Sequence, residues 1–195
     1  MSNTKSVMIV GVGGQGSLLA SRILGNVLLS EGFQVKVSEV HGMSQRGGSV
    51  VTYVKYGDEV YSPVVEKGEA DIIISFEQLE AARWVPYLKE GGHIVVSTQK
   101  IDPMPVITGN ATYPENIVEK LKGMGISVLA VDALKIAEEV GNSKASNVVL
   151  MGVVSTKMEF ENEVWEKAVE ACVPAKFLEL NKKAFALGVE VGKAM

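Results

Sequence analysis

The chain has 195 residues, of which 47% are hydrophobic and 22% charged, and its formal net charge is −4. This length is typical of one globular domain, so we expect a single domain over residues 1–195. The sequence shows no run of about 18 apolar residues, no secretory leader and no dense basic cluster, which argues against a membrane span, secretion and a nucleic-acid partner and favours a cytoplasmic protein.

The first half of the chain alternates strand-like and helix-like segments. A small β-hairpin is predicted around Gly57 and Asp58, with residues 50–56 and 59–61 as its arms. Apolar runs and alternating patterns predict strands at residues 6–10, 34–40, 50–56, 71–75 and 93–98, and a helical period predicts helices at 17–30 and 78–90. On the last of these helices, Glu77 and Glu80 are expected to face solvent.

The second half of the chain adds one more strand and then becomes helical. A strand at 127–131 lies between helices at 114–124 and 133–140, and further helices are predicted at 147–158, 163–172 and 175–191. The apolar run 148–154 is expected to be a buried helix. This alternation predicts an α/β fold with a doubly wound, mostly parallel, Rossmann-like sheet and a helical C-terminal extension from about residue 145.

A glycine-rich segment, GVGGQG at residues 11–16, joins the first predicted strand to the first predicted helix. Glycines allow a sharp turn and a close approach of a ligand, and the free amides of a helix start bind anions. The candidate ligand-contacting residues are Gly11, Gly13, Gly14, Gln15 and Gly16. Two interpretations stay open, a phosphate-binding loop and a turn that only permits tight packing of strand and helix.

A second segment, at residues 39–48, concentrates chemically useful groups among glycines. Its candidate binding residues are Glu39, His41, Ser44, Gln45, Arg46, Gly47 and Gly48. Arg46 offers a planar guanidinium that suits a carboxylate or a phosphate. Glu39 is the only acid placed to hold the ribose of a dinucleotide, and it comes later than that motif requires. An ordinary surface turn is the alternative to a binding loop.

The two segments together resemble a known family. GVGGQG followed by SLLASRIL, and then SEVHGMSQRGGSV, closely resemble the β subunits of indolepyruvate ferredoxin oxidoreductases and the γ subunits of pyruvate and ketoisovalerate oxidoreductases. The positions that match the family's two motifs are Gly11, Gly13, Gly14, Gln15 and Gly16, and Glu39, His41, Gly42, Met43, Ser44, Gln45, Arg46, Gly47 and Gly48. The resemblance assigns no catalytic residue within this chain.

This resemblance implies an enzyme of several subunits. The family oxidatively decarboxylates a 2-oxoacid with coenzyme A, which gives an acyl-CoA, carbon dioxide and reduced ferredoxin. Thiamine diphosphate, magnesium and the iron-sulfur clusters are then expected in a large partner subunit, and this chain is expected to hold no cofactor or metal alone. Cys172 is the single cysteine, whereas a cluster needs four thiolates. The isolated chain is expected to be inactive and to form a homo-oligomer.

Other functions remain possible from the sequence. The string GxGGxGS, which Ser17 completes, also resembles the nucleotide loop of ubiquitin-activating-type adenylyltransferases. Those enzymes usually carry an Asp after the second strand and paired CxxC motifs for zinc, whereas this chain has Glu39 and one cysteine. An NAD-binding Rossmann protein and a non-catalytic assembly subunit are further alternatives.

Overall fold

The computed structural model describes residues 4–42 and 47–195. The strands of this part are β1 (Lys5–Val12), β2 (Gln34–His41), β3 (Ser49–Gly57), β4 (Ala70–Ser75), β5 (Leu88–Ser97) and β6 (Ser127–Val131). The α-helices are α1 (Ser17–Ser30), α2 (Gln78–Trp84), α3 (Met104–Ile107), α4 (Ile117–Gly123), α5 (Ala133–Val140), α6 (Ser146–Ser155), α7 (Asn162–Cys172) and α8 (Leu178–Lys193). The predicted α/β fold is confirmed.

The strands form one sheet in the order β2-β3-β1-β4-β5-β6. β1, β4, β5 and β6 run parallel, whereas β3 runs antiparallel to both of its neighbours, β1 and β2. The sheet is therefore mostly parallel, as predicted. The carboxyl ends of its parallel strands and the amino end of β3 lie at the same edge, which we call the carboxyl edge.

The antiparallel pair lies elsewhere than predicted. We expected a hairpin around Gly57 and Asp58, but residues 59–61 form no strand, and β3 pairs instead with β2 along its whole length. The physical reason is that β3 is an internal strand whose two edges are already taken by β1 and β2, which leaves no hydrogen-bonding edge for a third arm. The chain after β3 is held by a bond from Val60 N to Gln34 Oε1 of 3.2 Å.

Helices cover both faces of the sheet and enclose two apolar cores. α1, α5, α6, α7 and α8 pack on one face, where Ile23, Val149, Trp165 and Phe185 are buried. α2 and α4 pack on the other face, around residues such as Met8 and Ile94. The sheet is therefore doubly wound, and the change of face falls between β1 and β4 because α1 and α2 lie on opposite sides.

The segment after β4 also differs from the prediction. We expected one helix over residues 78–90 followed by a strand over 93–98, but α2 ends at Trp84 and a 3₁₀ turn at Val85–Tyr87 leads into β5 at Leu88. Pro86 explains the early end, because proline has no amide hydrogen to continue the helical ladder. β5 is correspondingly long, and its register with β4 shifts between Ala70 and Ile72.

The C-terminal part is helical from Ser143 onward, as predicted. The apolar run 148–154 lies within α6 and is buried, which confirms that prediction. α8 packs against α6, and its Gly188 faces the backbone of Val149. Within residues 4–42 and 47–195, none of the helices combines the length and the apolar character that crossing a membrane requires.

Candidate functional site

The first loop, residues 11–16, forms the turn between β1 and α1 at the carboxyl edge. Gly14 and Gly16 have φ angles of 102° and 88°, which residues with a Cβ atom rarely adopt. At Gly16 an added Cβ would also lie 2.2 Å from Nδ2 of Asn147. Glycine is therefore required at these two positions by the backbone, whatever the loop binds.

Gln15 closes the crevice between the ends of β1, β4 and β5. Its Oε1 accepts a hydrogen bond from Val12 N at 2.7 Å, and its Nε2 donates to Phe76 O at 2.9 Å and to Gln99 Oε1 at 3.0 Å. Gly11 leaves room for this arrangement, because a Cβ there would lie 2.9 Å from Gln15 Oε1. Ligands of doubly wound sheets usually enter at this switch point, and here the chain's own amide occupies it.

The end of the second loop (residues 42–48), at Gly47 and Gly48, lies alongside the first. The amide of Gly13 donates to Gly48 O at 2.9 Å, and the amide of Gly47 donates to Gly13 O at 3.4 Å. These bonds continue the β1–β3 ladder beyond Val12 and Ser49. The two segments that the sequence singled out are thus neighbours in space.

An open cleft of about 370 Å³ lies beside the first loop, on the face covered by α1. It is lined by Gly13, Gly14, Gly16, Ser17, Leu18, Glu39, His41 and Val50. Within the described part of the chain, the amides of Gly14, Ser17 and Leu18 donate no hydrogen bond. Free amides at a helix start attract anions, so the cleft is suited to a phosphate or a carboxylate.

Glu39 and His41 reach this cleft from β2, the edge strand. Glu39 Oε2 accepts a hydrogen bond of 3.3 Å from the hydroxyl of Thr52, and His41 Nδ1 lies 3.3 Å from Gly42 O. Because β3 lies between β1 and β2, Glu39 comes from a strand about 10 Å from β1, or two strand spacings. In the dinucleotide fold the ribose-binding acid comes from the strand next to β1, so this geometry disfavours an NAD site.

Part of the predicted site lies outside the described residues. Ser44, Gln45 and Arg46, with Met43 beside them, belong to that segment. The structure therefore brings together the first loop, Glu39, His41, Gly47 and Gly48, and the predicted roles of the other three residues stay predictions.

Two buried carboxylates at the carboxyl edge correct the sequence prediction. Glu77 and Glu80 were expected to face solvent, but they are only 1% and 3% exposed. Glu77 points toward the loop that follows β5, whereas Glu80 points toward Ser49 at the start of β3, and each carboxylate is enclosed at its own contact. Their backbone and side-chain partners, described next, replace the lost water.

Glu77 caps α2 and holds the loop after β5. Its Oε2 accepts from Glu80 N at 2.9 Å, while its Oε1 accepts from Ile101 N at 3.2 Å and from the hydroxyl of Tyr113. Burial, and then the hydrogen bond to Glu77, raise the pKa of the Tyr113 phenol above its ordinary value. Tyr113 therefore remains a neutral donor at neutral pH.

Asn147, on α6, is a further residue that sequence reasoning missed. Its Nδ2 donates to the carbonyl of Gly16 at 3.2 Å, and its side chain is buried. The contact joins residues 131 positions apart, so no local pattern could reveal it. A polar residue at the start of an otherwise apolar helix was the only available signal.

The described residues do not fit the redox cofactors expected of the family. Cys172 is buried and lies 3.2 Å from Asn26 Nδ2, and it could supply one thiolate where a cluster needs four. No group of three or more His, Cys, Asp or Glu side chains within residues 4–42 and 47–195 could hold a metal ion. We therefore derive no chemical step through a metal or a cluster in this chain.

Comparisons with known proteins agree with the geometry. The family model described as pyruvate ferredoxin/flavodoxin oxidoreductase matches residues 6–191. The indolepyruvate oxidoreductase subunit IorB of Thermococcus kodakarensis is 44% identical over 97% of this chain and 96% of its own length. Neither the adenylyltransferase nor the NAD-binding alternative is favoured by these matches.

Solved structures show the same architecture. The γ subunit of the keto/oxoacid ferredoxin oxidoreductase from Geobacter sulfurreducens superposes with a TM-score of 0.73, at 27% identity, over 98% of this chain and 99% of that one. The 2-oxoglutarate:ferredoxin oxidoreductase of Magnetococcus marinus gives a TM-score of 0.76 at 18% identity, over all of this chain and 32% of that one, which shows a shared fold. The chain belongs to the pyruvate ferredoxin/flavodoxin oxidoreductase family.

Proposed function

We propose that the chain is the small subunit of an indolepyruvate-type 2-oxoacid:ferredoxin oxidoreductase. The complete enzyme converts an arylpyruvate and coenzyme A into an acyl-CoA and carbon dioxide, and it passes the electrons to ferredoxin. The observation that carries this proposal is the 44% identity to an indolepyruvate oxidoreductase subunit over nearly the full length of both chains. A cytoplasmic location and a single domain over residues 1–195 are part of the proposal.

A large partner subunit supplies the thiamine diphosphate, magnesium and iron-sulfur clusters. This chain has one cysteine, Cys172, which is buried, and this supports placing the clusters in the partner subunit. Exposed apolar side chains on the face of the cleft support an interface there, because Leu18, which lines the cleft, and Val37, on the same face of β2 as Glu39, are 60% and 47% exposed. When the partner is absent, the same surface favours self-association of the isolated chain.

The cleft beside the first loop binds the phosphates of coenzyme A. The free amides of Gly14, Ser17 and Leu18 and the start of α1 favour negative charge there. Arg46, Gln45 and Ser44 of the second loop add hydrogen-bond donors to this site. Gln15 contributes indirectly, because its side chain is engaged with Val12, Phe76 and Gln99.

The experiment is a dye-linked assay of the native complex, purified with its large subunit. We expect 2-oxoacid-dependent reduction of a viologen that requires coenzyme A, with arylpyruvates preferred over pyruvate and 2-oxoglutarate. Absorbance and iron analysis should locate the clusters in the large subunit. A complex that reduces the dye with no 2-oxoacid, or a cluster bound stoichiometrically to this chain alone, would contradict the proposal.

Arg46 provides a test of the second loop. Arg46→Ala should weaken turnover or assembly at least tenfold, since loss of a buried charge pair typically costs about 2–5 kcal/mol. Arg46→Lys should recover only part, because an ammonium cannot reproduce the paired geometry of guanidinium. If both variants match wild type in assembly, turnover and coenzyme A dependence, Arg46 is not part of the site.

A further inference from the structure

Glu80 connects α2 to residues 47–49, which lead from the second loop into β3 and which we call the return arm. Its Oε2 accepts a hydrogen bond of 2.5 Å from the hydroxyl of Ser49, and its Oε1 accepts one of 2.9 Å from Nη1 of Arg83. The Glu80 side chain is 4% exposed, whereas that of Arg83 is 45% exposed. Both oxygens of the carboxylate are thus engaged, one toward the loop and one toward the surface.

The other contacts of residues 47–49 with the first loop are backbone hydrogen bonds, of which the one from Gly13 N to Gly48 O is 2.9 Å long. Gly47 and Gly48 carry no side chain, and of their two backbone bonds with Gly13 the one from Gly47 N is 3.4 Å long. A bond of that length contributes little. Among the described residues, the Ser49–Glu80 contact is therefore the side-chain anchor of the return arm.

Because the anchoring side chain is a carboxylate, it accepts in both of its hydrogen bonds, and Ser49 and Arg83 donate. An ionised carboxylate can only accept, so the single proton of the Ser49 hydroxyl is committed to Glu80. Burying such a charge is unfavourable unless donors surround it, and Ser49 and Arg83 are those donors. A glutamine at this position could still contact Ser49 and Arg83, but it would replace the charge-assisted hydrogen bond of the carboxylate to Ser49 with a weaker neutral one.

We propose that Glu80 is a positioning residue for coenzyme A binding. Through Ser49 it fixes residues 47–49, which bond to the backbone of Gly13, and so it sets the position of this end of the second loop beside the first loop. Glu80 does not touch the ligand, and its effect passes through the loop. This inference rests on the proposed function, in which the two loops bind coenzyme A.

The test uses the reconstituted complex with coenzyme A as the varied ligand. Glu80→Gln and Ser49→Ala should each raise the KM for coenzyme A about tenfold, with kcat within about twofold of wild type, because each removes the same charge-assisted hydrogen bond. The double variant should match either single one, since both changes break one contact. Ser49→Thr keeps the hydroxyl and should restore the wild-type KM.

Asp71→Asn is the matched control. Asp71 is a half-buried carboxylate that accepts from Ser6 N at 2.8 Å and pairs with Lys89 at 3.1 Å, at the opposite edge of the sheet. We expect this variant to lose thermal stability and to keep the wild-type KM. A Glu80→Gln variant that changes the KM no more than Asp71→Asn does, or a Ser49→Thr variant that behaves like Ser49→Ala, would overturn the inference.

Amide hydrogen exchange separates this inference from the proposed function. In the complex, exchange at residues 47–50 should be at least tenfold faster in Glu80→Gln than in Asp71→Asn, because the return arm opens without its anchor. Unchanged exchange overturns the role of Glu80 even in an active enzyme. Faster exchange in a complex that oxidises no 2-oxoacid overturns the proposed function and retains the anchor.

Discussion

The carboxyl edge of the sheet and the contact between α6 and α8 are organised by opposite means. At the edge, particular polar atoms hold the loops, as Gln15, Glu77 and Glu80 do with their hydrogen bonds. Between α6 and α8, the absence of side chains lets two backbones touch. A Cβ on Gly152 would lie 2.2 Å from Phe185 O, and one on Gly188 would lie 2.1 Å from Val149 O.

This difference predicts different responses to mutation. The helix contact cannot give way to an added atom, because the obstructing atoms belong to the backbone. The polar edge depends in addition on which atom donates and which accepts. The helical layer therefore determines global stability, and the edge determines the conformation of the loops.

The largest effect is expected at the helix contact. Gly188→Ala should lower the free energy of unfolding by about 3 kcal/mol, because the helices must move apart to admit the methyl group. Urea unfolding of the isolated chain measures this. Gly25→Ala is the control, since Gly25 is helical and has no atom within 4 Å of an added Cβ. It should gain about 0.5–1 kcal/mol from helix propensity, and equal effects at the two sites would break the comparison.

An intermediate effect is expected at the polar edge. Glu77→Gln should lower the free energy of unfolding by about 2 kcal/mol, because one amide oxygen cannot replace the carboxylate toward Glu80 N, Ile101 N and Tyr113. Glu138→Gln, an exposed change on α5, should leave stability unchanged. Thermal unfolding of both variants measures the difference in stability. A Glu77→Gln variant as stable as wild type would mean that stability does not depend on the buried carboxylate.

The smallest effect is expected where the two regions meet. Asn147→Ala removes the bond from α6 to Gly16 O and should lower the free energy of unfolding by about 1 kcal/mol. The same change removes the atom that an alanine at residue 16 would strike. Gly16→Ala should thus be less harmful in the Asn147→Ala background than alone, with the φ strain of 88° remaining. Additive effects in the double-mutant cycle would show that the two residues are independent.

Local patterns accounted for much of the fold. The apolar runs at 71–75 and within β5, the helical period of α1 and the buried run in α6 predicted these elements, because burial on one or both faces leaves a periodic trace in the sequence. The glycine loop was also recognisable from its place between a strand and a helix. No pattern in the sequence placed this loop beside the second one, whereas the hydrogen bonds between Gly13 and Gly47 or Gly48 show that they are neighbours.

Tertiary structure alone decided the rest. The sequence determined that there are glycine turns, a doubly wound sheet and a helical C-terminal part, since these follow from backbone sterics and periodicity. It could not determine that β3 lies between β1 and β2, nor that Glu77, Glu80 and Asn147 are buried and Gln15 is half-buried among hydrogen-bond partners. A polar side chain is buried only where distant segments supply its hydrogen bonds, such as Gly16 for Asn147, and residues far apart in sequence leave no periodic signal of that meeting.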